Sequence, residues 1–535
     1  MIDLMQSQGH NLSRVCSYSA IYNIECRQHF SSNNDQHPNS SSSHSVDSPA
    51  YLSHVLPLIE ADEFQYKAYN DIVNSVKNNI PEHLFFLSGP GGSGKTFVYN
   101  AITSNLLSSN KRVLCVASTG IAASLLFHGR TAHSVFKIPI SKDYNILFQL
   151  PALSEKERDR LSSFDLLIWD EISMQKKSDI FFVDRLLQNI TNADKPFGGK
   201  YVLFGGDFAQ TVPISGYGGL RDVTESIKSD LYWSKIHRSW LLVNNYRILE
   251  NEENREFKVW VSNLRSHNCS IDIPSYINRV SNVTDLMKQI YDLNNLTFFH
   301  PPSTTGQHLL ESDIRNLYNY FHDRAILCPD NQSVDEKNRH LLVSFSQSWN
   351  TPLIIKRGRE AVVSLDRKCR HLEATDVVPS ITGCPLTGLE ICLGAPVMIL
   401  RNFYTPCGFY PNGARFIVSA ISQDLIKISR IHNGEVEHVE LPRSKFQHKM
   451  PMSNSQYVLM QFPIRLAFSM TIHKSQGQSI NRVGLDFSKK QSWAHGMTYV
   501  AFSRAKDVNN LFLLCPTPTL KTIQLPTLML ERNSN

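Results

Sequence analysis

Gly89 to Thr96 read GPGGSGKT, a GxxxxGK[ST] loop directly behind the apolar run from Leu84 to Leu87. The pattern restricts the fold because such a loop works only where a strand delivers it and a helix leaves it. Its glycines let the backbone aim N–H groups at phosphate oxygens, Lys95 reaches the β- and γ-phosphates, and Thr96 offers a hydroxyl to Mg²⁺. A helix starting near Lys95 adds the positive end of its dipole. The pattern predicts a nucleoside-triphosphate site made by Gly89, Pro90, Gly91, Gly92, Ser93, Gly94, Lys95 and Thr96.

The 535 residues are enough for about three or four compact domains. Apolar residues make up 41%, and 54 basic against 48 acidic residues leave a formal charge of +6. That excess allows a local basic groove without demonstrating a nucleic-acid partner. The ten cysteines are scattered singly with no CxxC spacing, which argues against a zinc module or a disulfide framework. No apolar stretch approaches the roughly 20 residues that span a bilayer. A soluble, intracellular protein without membrane contact is expected, and the weakly basic N-terminus supports a mitochondrial presequence poorly.

From Ser31 to Ser48 the chain is mostly Ser, Asn, His and Asp, so residues 1–50 are expected to be disordered. Phe64, Ala68, Ile72, Val73 and Val76 then recur at helical spacing and place Gln65 on an amphipathic helix ahead of the loop. Short apolar runs follow at Val113 to Ala117, Leu166 to Trp169, Tyr201 to Phe204 and Leu241 to Val243. A second set lies at Ala325 to Cys328, Ile464 to Met470, Val483 to Phe487 and Leu511 to Cys515. Runs of this length with intervening helices predict two α/β domains with parallel sheets. Between members of the second set, Ala395 to Leu441 carries short β-like pieces separated by turn residues, the texture of an all-β insertion.

LLIWDEIS places Asp170 and Glu171 at a strand end, Asp170 to engage Mg²⁺ and Glu171 to act as general base. GGDFAQ sends Asp207 and Gln210 to the same carboxyl edge, Gln210 as a γ-phosphate sensor. Arg247, after LLVNNY, and Arg504, in TYVAFSRAK, are candidate arginine fingers. A lone arginine is more often a surface ion-pair partner, so both assignments depend on resemblance.

The ordered series DEFQYKAY, GPGGSGKT, ASTGIAA, GRTAHS, WDEIS, GGDFAQTVP, NNYR, TIHKSQGQS and YVAFSRA resembles the motifs of superfamily 1 helicases. Within that superfamily KPFGGKYVLFGGDFAQ, RAILCPDNQSVDEKN, LGAPVMILRN, NGARFIV and QFPIRLAFSMTIHKSQGQS are similar to the Pif (petite integration frequency) helicases, over a likeness running from about Ile59 to Cys515. The resemblance implies two RecA-like P-loop NTPase domains, at 51–235 and 236–520, with a small wedge at about 127–150, an SH3-like insertion at 395–445 and a tail at 521–535. It implies a monomeric, ATP- and Mg²⁺-dependent motor that moves 5′ to 3′ on single-stranded and forked DNA. Roles in DNA repair, recombination and telomere maintenance follow from the family, with nuclear action and a mitochondrial alternative.

By the same resemblance Gln65 contacts adenine, Gly477 belongs to the nucleotide side, and Lys95, Thr96, Asp170, Glu171, Gln210, Arg247 and Arg504 match nucleotide-site positions. Thr119, Arg130, Thr131, His133, His473, Lys474 and Ser475 match positions lining the DNA channel, where small hydroxyls and basic groups suit phosphates. His133 and His473 are otherwise hydrogen-bonded core histidines, and Phe208 either stacks on a base or, more safely, fills the core. Ala209, Tyr246 and His473 depart from the family pattern without removing a phosphate or metal ligand.

GIAASLLFHGRTAHSVFKIPI also looks like the helicase domains of Helitron rolling-circle transposons. Their nuclease carries two histidines separated by one residue, a spacing that none of the 20 histidines here shows. A third reading, from another class, is a nucleotide-dependent DNA-binding scaffold that no longer unwinds.

Overall fold

Strands made almost wholly of buried side chains organise the part of the molecule that carries the phosphate loop. In the computed structural model, β1 (Leu84–Ser88), β2 (Val113–Ala117), β3 (Arg130–Thr131), β4 (Leu166–Asp170), β5 (Tyr201–Gly206) and β6 (Arg238–Leu241) form one parallel sheet in the order β3-β2-β4-β5-β1-β6. Every residue of β4 and β5 is buried, as a sheet covered on both faces requires. Trp169 of β4 lies 5.9 Å from Phe136 and 6.2 Å from Phe204 by ring centroids, and truncating it to alanine should cost about 3–5 kcal/mol.

Residues 49–139, 149–213, 224–229, 231–266, 269–293, 308–364, 369–371, 384–405, 408–450 and 455–524 are described. Residues 1–48 of the stretch expected to be disordered, residues 140–148 of the expected wedge and residues 525–535 of the tail lie outside them, whereas residues 49–50 begin a helix, Pro49–Glu60.

Helix α1 (Glu63–Lys77) starts at Asp62, whose carboxylate accepts from the N–H groups of Phe64 and Gln65. Its Ala68, Ile72, Val73 and Val76 are buried, and the same face buries Gln65. Helix α2 (Lys95–Ser108) leaves the phosphate loop, α3 (Gly120–Leu125) and α4 (Ala132–Phe136) flank β3, and α5 (Lys177–Thr191) follows β4. A second parallel sheet contains β7 (Asn278–Arg279), β8 (Arg324–Cys328), β9 (Ser469–Thr471), β10 (Arg482–Asp486) and β11 (Leu511–Leu514), ordered β9-β8-β10-β11-β7. Helix α6 (Met497–Phe502) lies between β10 and β11.

Both parallel sheets belong to one unit, Ser42–Tyr291 with Asp323–Asp335 and Ser469–Asn535. The other unit includes Asp292–His322 and Glu336–Phe468 and is antiparallel where it is β. Its five-stranded sheet runs Glu435–Pro442, Leu425–His432, Arg415–Ile421, Pro396–Ile399 and Ile464–Leu466 in spatial order. A four-stranded sheet joins Cys369–Arg370, Arg359–Val363, Gln456–Gln461 and Ser444–Lys449.

Four boundaries differ from the sequence expectations. Arg238–Leu241 pairs with β1, so the first sheet continues past the division drawn at 235/236. The apolar run from Ile464 to Met470 is two strands, because Ile464–Leu466 pairs with Ile399–Val397 while Ser469–Thr471 pairs with β8. Hydrophobicity alone does not say which sheet accepts a strand. The antiparallel region extends beyond 395–445 on both sides, since Arg359–Val363 and Gln456–Gln461 pair with each other despite alternating with polar residues. Arg130–Thr131, assigned to the wedge, is the edge strand of the first sheet.

Candidate nucleotide site and strand interface

Ser88 of β1 lies beside Gly206 of β5, and Ala117 of β2 beside Asp170 of β4. The phosphate loop, Asp170–Glu171 and the segment Asp207–Gln210 therefore leave the sheet at one carboxyl edge, where open α/β folds collect ligands. Gly94 is the N-cap of α2, with φ +84° and no side-chain hydrogen bond capping the helix. The first N–H groups of α2 thus remain available to an anion. Gln65 Nε2 donates to Ser93 O at 3.1 Å and would lie 2.6 Å from a Cβ on Gly94, so the loop needs glycine there for both space and backbone. Lys95 Nζ folds back over the loop, donating to Gly89 O at 2.7 Å and Pro90 O at 3.2 Å.

Asp170 is buried at the end of β4. Burial pushes its carboxyl up, the neighbouring Glu171 adds to the rise and Lys95 opposes it, leaving a pKa of about 7. Its Oδ1 accepts no hydrogen bond. An orphaned buried carboxylate oxygen costs about 1–3 kcal/mol, which a cation would offset, so the donor set fits a hard metal ion held with the half-buried Thr96 hydroxyl. Glu171, the next residue, adopts the left-handed region at φ 53°, uncommon for a non-glycine residue. Its Oε2 accepts from Gln476 Nε2 at 3.0 Å, and Gln476 Oε1 accepts in turn from the Thr211 hydroxyl.

Asp207 is buried and would be raised by burial, but Arg265 and then Lys95 hold its carboxyl below the ordinary value, helped by the Ala209 N–H and Gln210. Arg265 Nη2 meets Asp207 Oδ1 at 3.1 Å, and Gln210 Nε2 donates to Asp207 Oδ2 at 3.2 Å. The Tyr499 hydroxyl donates to Asp207 Oδ2 at 3.0 Å and accepts from the Gly91 N–H at 3.2 Å. A residue of α6 thereby touches the phosphate loop.

Two guanidinium groups meet over Gly91. A methyl group there would stand 2.9 Å from both Arg247 Nη1 and Arg504 Nη2, with Gln210 Nε2 3.7 Å away. Arg247 donates to Ser479 Oγ at 2.8 Å and Ser503 O at 2.9 Å. Arg504 donates to Val500 O, Gln478 O and Ser503 Oγ. Among the described residues neither has a carboxylate within salt-bridge distance. Burial lowers both pKa values, and for Arg247 the adjacent Arg504 charge is the next cause. Two crowded cations with only neutral partners, set above a loop of phosphate-seeking N–H groups, make a site for a polyanion. The segment Asn244–Arg247 also clasps the loop, since Tyr246 N–H donates to Gly92 O and Asn245 Nδ2 to Gly91 O.

A family profile described as PIF1-like helicase matches residues 61–272, and a second, described as Helicase, matches 454–522. Over residues 61–272 the chain thus resembles the PIF1-like helicases. It is 27% identical over 430 residues to the ATP-dependent DNA helicase Pif1 of Bdellovibrio bacteriovorus, covering 80% of this chain and 83% of that one. It is 26% identical to the ATP-dependent DNA helicase PIF1 of Danio rerio, covering 85% of this chain and 61% of the relative. Its fold is that of the solved Pif1 structure concerned with unwinding of forked duplex DNA by two coordinating Pif1 helicases, with TM-score 0.59, 24% identity and coverage of 87% and 94%. Pif1 from Candida albicans gives TM-score 0.57 at 20% identity, covering 88% and 98%.

The positions matched to the PIF1-like strand channel are less uniform than those of the nucleotide site. Thr119 caps α3, its hydroxyl accepting from Ala122 N–H at 3.2 Å, and Gly477 faces Ile121 of the same helix. Arg130 is half-buried, and Thr131 is buried at the start of α4. His133 Nε2 lies 3.9 Å from Asp179 Oδ2, and burial lowers its pKa against the pull of that carboxylate. Lys474 is half-exposed and suited to a phosphate. Ser475 is not so placed, because it is fully buried and its hydroxyl donates to Ile472 O at 2.7 Å within its own turn. Phe208 is buried against Phe86 and Trp233, so it fills the core.

Sequence reasoning missed Gln476, Thr211, Tyr499 and Arg265. Gln476, Thr211 and Tyr499 lie inside quoted motifs, so motif membership was the available signal for those three. Arg265 lies in no motif and carried none.

Proposed function

We propose that this chain is an ATP-dependent DNA helicase that moves 5′ to 3′ along single-stranded DNA and opens duplexes. The observation that carries the reading is the meeting of Arg247 and Arg504, 257 positions apart in the chain (504 − 247), over the phosphate loop at Gly91. Lys95 exchanges the Gly89 and Pro90 carbonyls for the β- and γ-phosphates, and Gln65 reads the adenine edge. Thr96 and Asp170 would hold Mg²⁺, which would supply neutralisation of phosphate charge. Glu171, aimed by Gln476, takes the proton of the attacking water, while the two arginines and Gln210 face the charge that develops on the γ-phosphate.

Tyr499 and Gln476 join residues after the second sheet's strands to the loop and to Glu171, so loss of the γ-phosphate alters contacts made by both sheets. That supplies the coupling of hydrolysis to movement. Half-exposed Lys474 and the Thr119 turn take strand phosphates without reading sequence.

The test is ATP hydrolysis with and without single-stranded DNA, followed by strand displacement on duplexes carrying only a 5′ or only a 3′ tail. DNA-stimulated hydrolysis lost in Lys95→Ala and severely reduced in Glu171→Gln is expected, with displacement of the 5′-tailed substrate alone. Hydrolysis without displacement would leave a DNA-dependent ATPase, and no hydrolysis would sink both readings.

A further inference from the structure

Trp169 and Trp349 are fully buried, whereas Trp493, between β10 and α6, is 38% exposed and belongs to none of the motifs. Its indole N–H donates to Pro329 O at 3.1 Å, which pins the ring at the carboxyl end of β8. The His473 ring lies 5.7 Å away, inclined by 34°, and the Lys490 ammonium stands 5.4 Å from the indole centroid.

We propose that Trp493 is a stacking platform for a base of single-stranded nucleic acid, with Lys490 and Lys474 taking the flanking phosphates. The proposal rests on the reading of the chain as a strand-tracking motor and names a base contact that the motifs do not. An indole tethered by its edge keeps its plane without covering its faces, so a base finds the surface already oriented. Lys490 is exposed on a flexible stem, and its position marks an electron-rich face from which it can swing to a phosphate when a base arrives. Local charge favours the same occupant, because Lys490 stands over the ring, Lys489 precedes it in sequence and Lys474 follows His473, whose ring lies beside the indole. Single-strand binders combine such an aromatic plane with cations that follow the backbone, and each stacked base contributes about 1–3 kcal/mol.

The experiment compares wild type, Trp493→Ala and Trp493→Phe by fluorescence anisotropy on labelled oligo-dT and on a strand of equal length whose central nucleotides are abasic. Trp493→Ala should weaken oligo-dT binding about 5- to 150-fold, the range that corresponds to one stacked base. Binding to the abasic strand should not change, and Trp493→Phe should recover most of the loss. Equal weakening on both strands in the alanine variant, with the phenylalanine variant no better, would overturn the platform, as would unchanged oligo-dT binding. Wild-type protein that binds neither strand would overturn the motor reading and the platform with it.

Discussion

Lys95, Asp170, Glu171, Gln210 and Arg504 are buried within one set of hydrogen bonds and charges around the phosphate loop, whereas Thr119, His133, His473 and Lys474 occupy half-exposed turns and short helices. The difference is one of solvent. In a desolvated site each charge must be answered by another group, so Thr211, Gln476 and Glu171 depend on one another, as do Gly91, Tyr499 and Asp207. On a wet face a cation needs only a phosphate. The first region should respond to substitution with large, non-additive losses, and the second with small, separable ones.

Removing Arg504 tests the strong side of that contrast. Arg504→Ala should lower kcat for DNA-stimulated ATP hydrolysis by about 10³-fold or more, the range of an arginine finger. Adding Arg247→Ala should cost much less than its own single effect, because both groups face one developing charge. Steady-state ATPase assays check this, and additive losses would break the picture of a connected site.

Gln476→Ala should lower kcat by about 10- to 100-fold, the loss of one hydrogen bond to a charged group, with KM for ATP changed little. A change confined to KM would mean that Gln476 binds nucleotide instead of aiming Glu171.

Arg265→Ala should cost about 2 kcal/mol of stability at neutral pH by depriving Asp207 of its cation. Because Asp207 is held below its ordinary value, that contribution is complete above the unfolded pKa of about 3.9 and is lost as pH falls through the folded value. The Tm gap between variant and wild type should therefore narrow below about pH 4. A gap that is constant with pH would assign the loss to packing.

The smallest effects belong to the strand face. Lys474→Ala should reduce the slope of log K against log salt for single-stranded DNA by about 0.7 with a modest loss of affinity. Ser475→Ala should leave that slope alone, since its hydroxyl serves Ile472 O.

Local regularities carried much of the fold. The parallel strands before the phosphate loop and at Val113–Ala117, Leu166–Asp170 and Tyr201–Gly206 stand where unbroken apolar runs placed them, because full burial on two faces leaves a compositional trace. The antiparallel unit was less legible. Arg359–Val363 and Ser444–Lys449 each bury only one or two central residues fully, and their alternation with polar groups resembles loop. In the candidate site, the residues of the phosphate loop were visible in a single octapeptide, while Ser475 was assigned to DNA by its motif although its turn faces inward.

The sequence by itself determined the loop, the helix behind it and the acidic strand end, because those depend on contacts between near neighbours. Only the tertiary structure decided that Gln476 donates to Glu171 from 305 positions away, that Tyr499 reaches Asp207 from 292, and that two arginines share the space over Gly91. The physical reason is that a hydrogen bond fixes distance and direction in space, and residues hundreds of positions apart acquire both only when their strands have taken their places in the sheets.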